Sequence, residues 1–370
     1  MHVVQVLVSL NLGGSELVAV ELTEHLAAAG HRVTVIAADG PLGDRVRASG
    51  AAHLDWPVGR KRLGTLRYVA RLRDWLSAER PDILHLHSRL PAWISRLALR
   101  GAAEDRRPAT VTSMHGHYSV SRYSAVMASG DRVIAVSDHI REYTLHNYPD
   151  TDPERVITVH GGVSRAVFPH GYRPAPAWLE SACGDFPELR GRRWLCLPGR
   201  LSRYKGHADF IELVARLQPE LPQVHGVIVG RARPGSRYRD ELEGLAERYG
   251  VLDHVTFTQD RLDIRDWMAA SELVFSLCSD PPEAFGRTVP EALHLGVPVI
   301  GWDHGGVQET LAGMFPEGAV TPGDRAALLE RTRAFLLRRP AVEPSPAFGL
   351  RESMEKTMDV YRSVLEKRSP

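Results

Sequence analysis

Short apolar runs alternate along this chain with segments whose apolar positions return every three or four residues. The runs at 3–10, 31–38, 52–58, 83–87, 109–114, 132–137 and 156–160 are mostly unbroken, which predicts strands buried on both faces. A second series follows at 193–198, 224–229, 254–258, 273–278 and 297–301. Between strands the helical period takes over: across 15–29, Val18, Leu22, His25, Leu26 and Ala29 share one face. This alternation predicts an α/β protein with parallel sheets covered by helices on both sides, that is, doubly wound and Rossmann-like. The rhythm breaks over 169–190, where Pro169, Pro174, Pro176 and Pro187 interrupt any period, and a hinge is expected there. The expected domains are 1–168 and 169–350. A last helix, within 351–370, carries Met354, Met358, Tyr361 and Leu365 at helical spacing, and no strand follows it.

Length agrees with that division: 370 residues at roughly 150 per domain suggest two. Lys+Arg 46 against Asp+Glu 45 leaves a net charge of +1, so no overall basic field exists for nucleic acid, and any polyanion site must be local. Cys183, Cys196 and Cys278 are too scattered for a disulfide framework or a zinc site, which fits a reducing compartment. The opening Met1–Val8 reads as a strand rather than a cleavable leader, and no apolar run approaches the roughly 18 residues of a membrane span. A cytoplasmic protein is expected.

The chemistry-bearing residues sit where strands turn into helices. The first strand ends in Asn11-Leu12-Gly13-Gly14-Ser15-Glu16, and two glycines there let a ligand approach the backbone at a helix N-terminus. The pattern is not Gly-x-Gly-x-x-Gly, so the dinucleotide fingerprint fails although Asp39 half-fits it; a nicotinamide oxidoreductase is the weaker reading. His115, in Thr112-Ser113-Met114-His115-Gly116-His117, stands at a strand's carboxyl end, placed to hydrogen-bond a ligand. His85 and His87 alternate along one strand and share a face, but no third ligand at metal-binding spacing accompanies them. In the second series, Gly199-Arg200-Leu201-Ser202-Arg203-Tyr204-Lys205-Gly206 sets Arg200 and Lys205 around a turn into a helix, a pair suited to a diphosphate.

The most specific stretch is Glu283-Ala284-Phe285-Gly286-Arg287-Thr288-Val289-Pro290-Glu291-Ala292-Leu293. Proline is tolerated in a helix's first turn, so Pro290 places the helix start at about Arg287 to Val289. Glu283 then lies in the preceding loop, Glu291 in the first turns, and the amides from Phe285 to Thr288 are open to an anion. Acceptor-only carboxylates match the hydroxyl pairs of a ribose and a hexose. Gly301-Trp302-Asp303-His304-Gly305-Gly306-Val307-Gln308-Glu309 adds another glycine-rich turn with a carboxylate.

The Glu283-x7-Glu291 spacing inside this stretch resembles the signature of the retaining GT-B glycosyltransferases of family four. Gly13-Gly14, His115-Gly116, Gly199-Arg200-Leu201 with Lys205-Gly206, and Gly305-Gly306 with Glu309 follow that family's order over nearly the whole chain. The resemblance implies two Rossmann-like domains facing a cleft, an acceptor-side first domain, a nucleotide-sugar-binding second domain, and a final helix that crosses back to the first. Its nearest suggestion is bacterial synthesis of lipopolysaccharide core or other surface glycans. It implies a nucleotide-diphosphate sugar donor, most simply a UDP-hexose, and a glycan or lipid-linked acceptor. No cofactor or metal is expected, since Arg200 and Lys205 stand in for a divalent ion. Glu283 would take the sugar hydroxyls and Glu291 the ribose. His115 would meet the sugar near its C6 hydroxyl, and Arg261 would offer its backbone to the base. Gly13, Gly14, Ala284, Phe285, Gly286, Arg287 and Thr288 would complete the donor site. Two motifs depart from the family: His160-Gly161-Gly162-Val163-Ser164 at the domain junction, and Gly230-Arg231-Ala232-Arg233 where Gly-x-Gly is common. A catalytically silent sugar-nucleotide binder remains the other alternative.

Residues 56–73 hold no acid but carry Arg60, Lys61, Arg62, Arg67, Arg71 and Arg73. Leu66, Val69, Leu72 and Leu76 form an apolar side, and Trp56 and Trp75 bracket the segment. The segment reads either as an ordinary surface helix whose apolar stripe faces its own sheet, or as one that also turns its cations outward to anionic lipid. The second reading gives peripheral contact with an anionic membrane, on the inner face of the plasma membrane, with both tryptophans at headgroup depth.

Overall fold

Strands covered on both faces favour apolar residues at nearly every position, and the inner strands of the first sheet are built mostly this way. The computed structural model of the chain describes residues 1–103, 106–259 and 261–368. Seven strands form the first sheet: β1 (His2–Ser9), β2 (Arg32–Ala38), β3 (Ala52–Asp55), β4 (Ile83–Leu86), β5 (Ala109–Met114), β6 (Arg132–Ala135) and β7 (Val156–Thr158). All pairs are parallel, in the order β3-β2-β1-β4-β5-β6-β7. Order reverses between β1 and β4, whose pairing runs from Val3 opposite Ile83 to Val6 opposite Leu86.

The second sheet has six parallel strands: β8 (Arg193–Pro198), β9 (Val224–Val229), β10 (Val255–Phe257), β11 (Leu273–Ser276), β12 (Val299–Trp302) and β13 (Ala319–Val320). Their order is β10-β9-β8-β11-β12-β13, with the reversal between β8 and β11. β9 is buried along its whole length, including His225, whose Nε2 lies 2.8 Å from Thr256 Oγ1 on β10. The short β13 has no apolar run to announce it and is the strand that periodicity misses.

The chain divides into two units, one of Met1–Gly162 together with the C-terminal segment from Leu350, the other Val163–Gly349. The proline-rich 169–190 stretch is no bare hinge. It carries a helix, Pro176–Asp185, with proline at its first turn, and Trp178 Nε1 donates to Asp263 Oδ2 at 2.7 Å within the second unit. The C-terminal helix, Leu350–Glu366, buries Met354, Met358, Val360, Tyr361 and Val364 in the core of the first unit, with Val3, Leu7, Ile83 and Val111. Ser369 and Pro370, at the end of the expected crossover segment, lie outside the described residues.

The basic 56–73 segment corrects one expectation. Trp56 is buried, stacked on Tyr68 and edge-on to Trp75, and the Arg71 guanidinium lies 4.4 Å from its ring centroid. It is a core residue, unable to sit among headgroups. Tyr68, Leu72 and Leu76 form the buried stripe of the helix Arg67–Glu79. Leu63 and Leu66, in the turn before that helix, are 89% and 55% exposed, beside exposed Arg60, Lys61 and Arg62.

Candidate functional site

In the second unit the reversal of strand order leaves the loops after β8 and β11 side by side, where a ligand can enter between them. The loop after β8 carries Gly199, Arg200 and a short turn, Arg203–Lys205. Gly206 then starts the helix His207–Leu217 in a left-handed conformation, φ 77°. A Cβ there would lie 2.1 Å from the carbonyl oxygen of Leu277, so this close crossing of the two loops admits glycine alone. Ser279 N donates to Tyr204 O at 2.7 Å and ties the loops together a second time.

The loop after β11 is held from its other side by the turn after β12. His304 Nε2 lies 2.7 Å from Cys278 O, and Gly306 N donates to Glu283 O at 2.9 Å. A Cβ on Gly306 would come within 2.4 Å of Ala284 O, which explains the glycine in that turn. The Gly305-Gly306 pair therefore buttresses the Glu283 loop. Helix Thr288–Leu295 begins inside the window that Pro290 sets. The amides of Phe285, Gly286 and Thr288 have no acceptor among the described residues, leaving a positive helix end exposed to a ligand.

Two ion pairs organise the charges. Lys205 Nζ bonds Glu283 Oε1, both side chains about four-fifths buried. Burial alone would lower the Lys205 ammonium, but the Glu283 carboxylate outweighs it and holds the lysine more firmly protonated than usual. Arg287 Nε donates to Glu291 Oε1 at 2.8 Å, one turn along the helix, with Glu291 buried. Arg200 is exposed, with no ion pair among the described residues. The structure thus gathers Arg200, Lys205, Glu283, the Ala284–Thr288 segment and Glu291 within the paired loops and the helix between them. Arg261 is different: its guanidinium is committed to Asp263 at 3.1 Å and lies 5.3 Å from the Trp267 ring centroid, so only its backbone is left for a ligand.

In the first unit, Gly13 caps the helix Gly14–Ala28 in extended conformation, and a Cβ on Gly14 would meet no atom within 4 Å. Leu17 N donates to Gly13 O at 2.9 Å, so this turn is regular and open. His115 follows β5 and is half-buried, its Nε2 3.0 Å from His87 Nδ1. Burial pushes its imidazole down to about 4, so it is neutral at physiological pH. His85 and His87 do share a face, ring centroids 4.0 Å apart, and both have protein partners: His85 bonds Tyr361 Oη and Ser113 Oγ, and His87 bonds His115 and Gln5. Sequence reasoning missed Gln5; a lone amide inside an apolar strand was its signal. An Asp-x-Asp does occur in the chain, Asp150-Thr151-Asp152, but Asp152 caps the turn Pro153–Arg155 and pairs with Arg155.

Family comparison matches Glycosyltransferase Family 4 over residues 12–167 and Glycosyl transferases group 1 over 187–349, between them most of the chain. Among curated proteins, the chain is 26% identical over 298 residues to the lipopolysaccharide core biosynthesis mannosyltransferase LpsB of Rhizobium meliloti (strain 1021), covering 78% of this chain and 80% of that protein. Among solved structures, a glycosyltransferase from Rickettsia africae ESF-5 superposes with a TM-score of 0.83 at 20% identity, over 99% and 98% of the two chains. Anabaena Alr3699/HepE, solved in complex with UDP and glucose, gives 0.82 at 22% identity, over 98% and 100%.

Gly206→Ala tests whether the crossing of the two loops builds the site. The strained backbone and the clash should cost about 1–3 kcal/mol in chemical denaturation. UDP binding by calorimetry should weaken in parallel, and unchanged stability and binding would contradict this role.

Proposed function

The chain belongs to the GT-B glycosyltransferases, and from that premise we propose that it transfers a hexose from UDP-hexose to a glycan or lipid-linked acceptor, with retention at the anomeric carbon and without a metal. That membership displaces the oxidoreductase and the silent binding protein. The observation that carries the reading is the grouping of Arg200, the Lys205–Glu283 pair and the open N-terminus of helix Thr288–Leu295 around one junction of loops. Charge-assisted bonds of this kind contribute about 1.5–3 kcal/mol each.

In this mechanism the diphosphate lies against the free amides, with Arg200 forking its oxygens. Glu291, steadied by Arg287, accepts from the ribose hydroxyls. Glu283 turns from Lys205 to the sugar hydroxyls when the diphosphate arrives, and Lys205 passes from carboxylate to phosphate. The Arg261 backbone faces the base, and Gly13-Gly14 leaves room at the first unit's helix end. His115 meets the sugar's C6 hydroxyl. The bond between C1 and the phosphate oxygen breaks while the acceptor oxygen bonds C1 on the same face. The acceptor's proton passes to the departing diphosphate, whose growing charge the cations and the helix end stabilise. The likeness to a lipopolysaccharide core mannosyltransferase supports a surface-glycan acceptor.

Among the described residues no helix is long and apolar enough to cross a membrane. Membrane contact is instead assigned to the turn around Leu63–Leu66, where two exposed leucines stand beside Arg60, Lys61 and Arg62. Each cation near an anionic surface is worth about 1 kcal/mol.

Calorimetry with UDP in excess EDTA tests the charge arrangement. Arg200→Ala should weaken UDP by about ten-fold or more. Glu283→Gln should instead tighten it several-fold by freeing Lys205, while transfer falls at least ten-fold. Loss of UDP binding in EDTA, or weaker binding in Glu283→Gln, would overturn this reading. For the membrane, the protein should co-sediment with anionic vesicles at low salt. High salt should abolish this, and so should replacing Leu63 and Leu66 by Ser together with Arg60, Lys61 and Arg62 by Gln. Equal binding to neutral vesicles, or an unaffected variant, would contradict the assignment.

A further inference from the structure

Behind His115 runs a buried line of polar side chains that the transfer mechanism leaves unused. Gln5 sits in the middle of β1 with no exposure. Its Nε2 donates to the backbone carbonyl of Ala19 at 3.0 Å and to Thr23 Oγ1 at 2.6 Å. A carbonyl only accepts, so the amide nitrogen must face Ala19 and the amide oxygen must face the other way. That oxygen lies 2.9 Å from His87 Nε2. Facing an acceptor, His87 Nε2 carries the proton. Burial drives the His87 imidazolium form well below its ordinary range, so the ring is neutral and its Nδ1 keeps a lone pair.

His87 Nδ1 lies 3.0 Å from His115 Nε2. Against a lone pair, His115 Nε2 must be the donor. His115 is neutral as well, so its Nδ1 is left as a bare acceptor, and no partner for that atom is found among the described residues. His85 stands outside this line: its two nitrogens go to Tyr361 Oη at 2.6 Å and Ser113 Oγ at 2.7 Å.

We propose that Gln5 and His87 are positioning residues that fix the tautomer of His115, so that it accepts a hydrogen bond through Nδ1 and selects a donor sugar bearing a hydroxyl at that contact. The selectivity rests on the contact between His115 and the sugar argued above. An acceptor there favours an O–H and disfavours groups that only accept, such as fluorine or the carboxylate of a uronic acid. The direction of the chain is set at its far end, by a backbone carbonyl that cannot reverse its role.

Long-range 1H–15N correlation of the full chain labelled with 15N-histidine, assigned through His115→Gln and His87→Gln, reads the tautomers directly. At pH 7 both residues should show protonated Nε2 and unprotonated Nδ1. In Gln5→Leu the acceptor for His87 is gone, and His115 should acquire a substantial Nδ1–H population. Kinetics should follow. The wild-type protein should prefer UDP-glucose over its 6-deoxy-6-fluoro analogue by ten-fold or more in kcat/KM. Gln5→Leu should narrow that ratio several-fold while UDP affinity stays constant. A wild-type His115 carrying the proton on Nδ1 overturns the proposal without needing any variant to fold. So does a tautomer unaffected by Gln5→Leu. The expected tautomers with no preference between the two sugars would leave the positioning chain standing and overturn the hydroxyl contact.

Discussion

When neighbouring strands of a parallel sheet send their crossovers to opposite faces, the gap between their carboxyl ends stays uncovered. β8 and β11 are such a pair, and so are β1 and β4. The groups proposed to hold a diphosphate hang from the ends of β8 and β11 or from the helix that follows. The loops there approach so closely that Gly206 and Gly306 have carbonyl oxygens where a Cβ would go. Rigidity at these crossings positions the chemistry: Glu283 is tied by its own carbonyl to the turn after β12, and Tyr204, next to Lys205, is tied by its carbonyl to Ser279.

Electrostatics then explains why buried charges are tolerated. Lys205 and Glu283 compensate each other, as do Arg287 and Glu291, so the resting site buries no unpaired charge in these two pairs. In the proposed reaction an arriving diphosphate would exchange one anion for another beside Lys205 and free Glu283 for hydroxyls. On that proposal the largely buried cation would already be in place before the donor arrives, lowering the reorganisation needed as charge builds on the leaving group. The first unit works with neutral groups: His85, His87 and His115 are all held uncharged by burial, and their value lies in the direction of their hydrogen bonds.

Much of this was legible in the sequence because strands buried on both faces are mostly apolar. Most of the strands announce themselves by an apolar run, whereas Ala319–Val320 is too short to do so. Pro290 placed the start of its helix for a reason intrinsic to proline. The pairing of Lys205 with Glu283 was not legible, since it joins residues from different crossovers. Trp56 misled because a tryptophan beside cations reads equally as a membrane anchor or as a buried ring covered by arginine. The proline-rich 169–190 stretch misled in the same way, because Pro176 opens a helix as readily as it breaks one. Gln5 needed the helix Gly14–Ala28 in place before its orientation had meaning.

In the proposed reaction these charges support departure of a diphosphate and same-face attack at the anomeric carbon. The anomeric coupling constant of the earliest product tests it most directly, with an α-linked UDP-hexose as donor and EDTA present throughout. An α-linked product is expected; a β-linked product would rule out same-face attack.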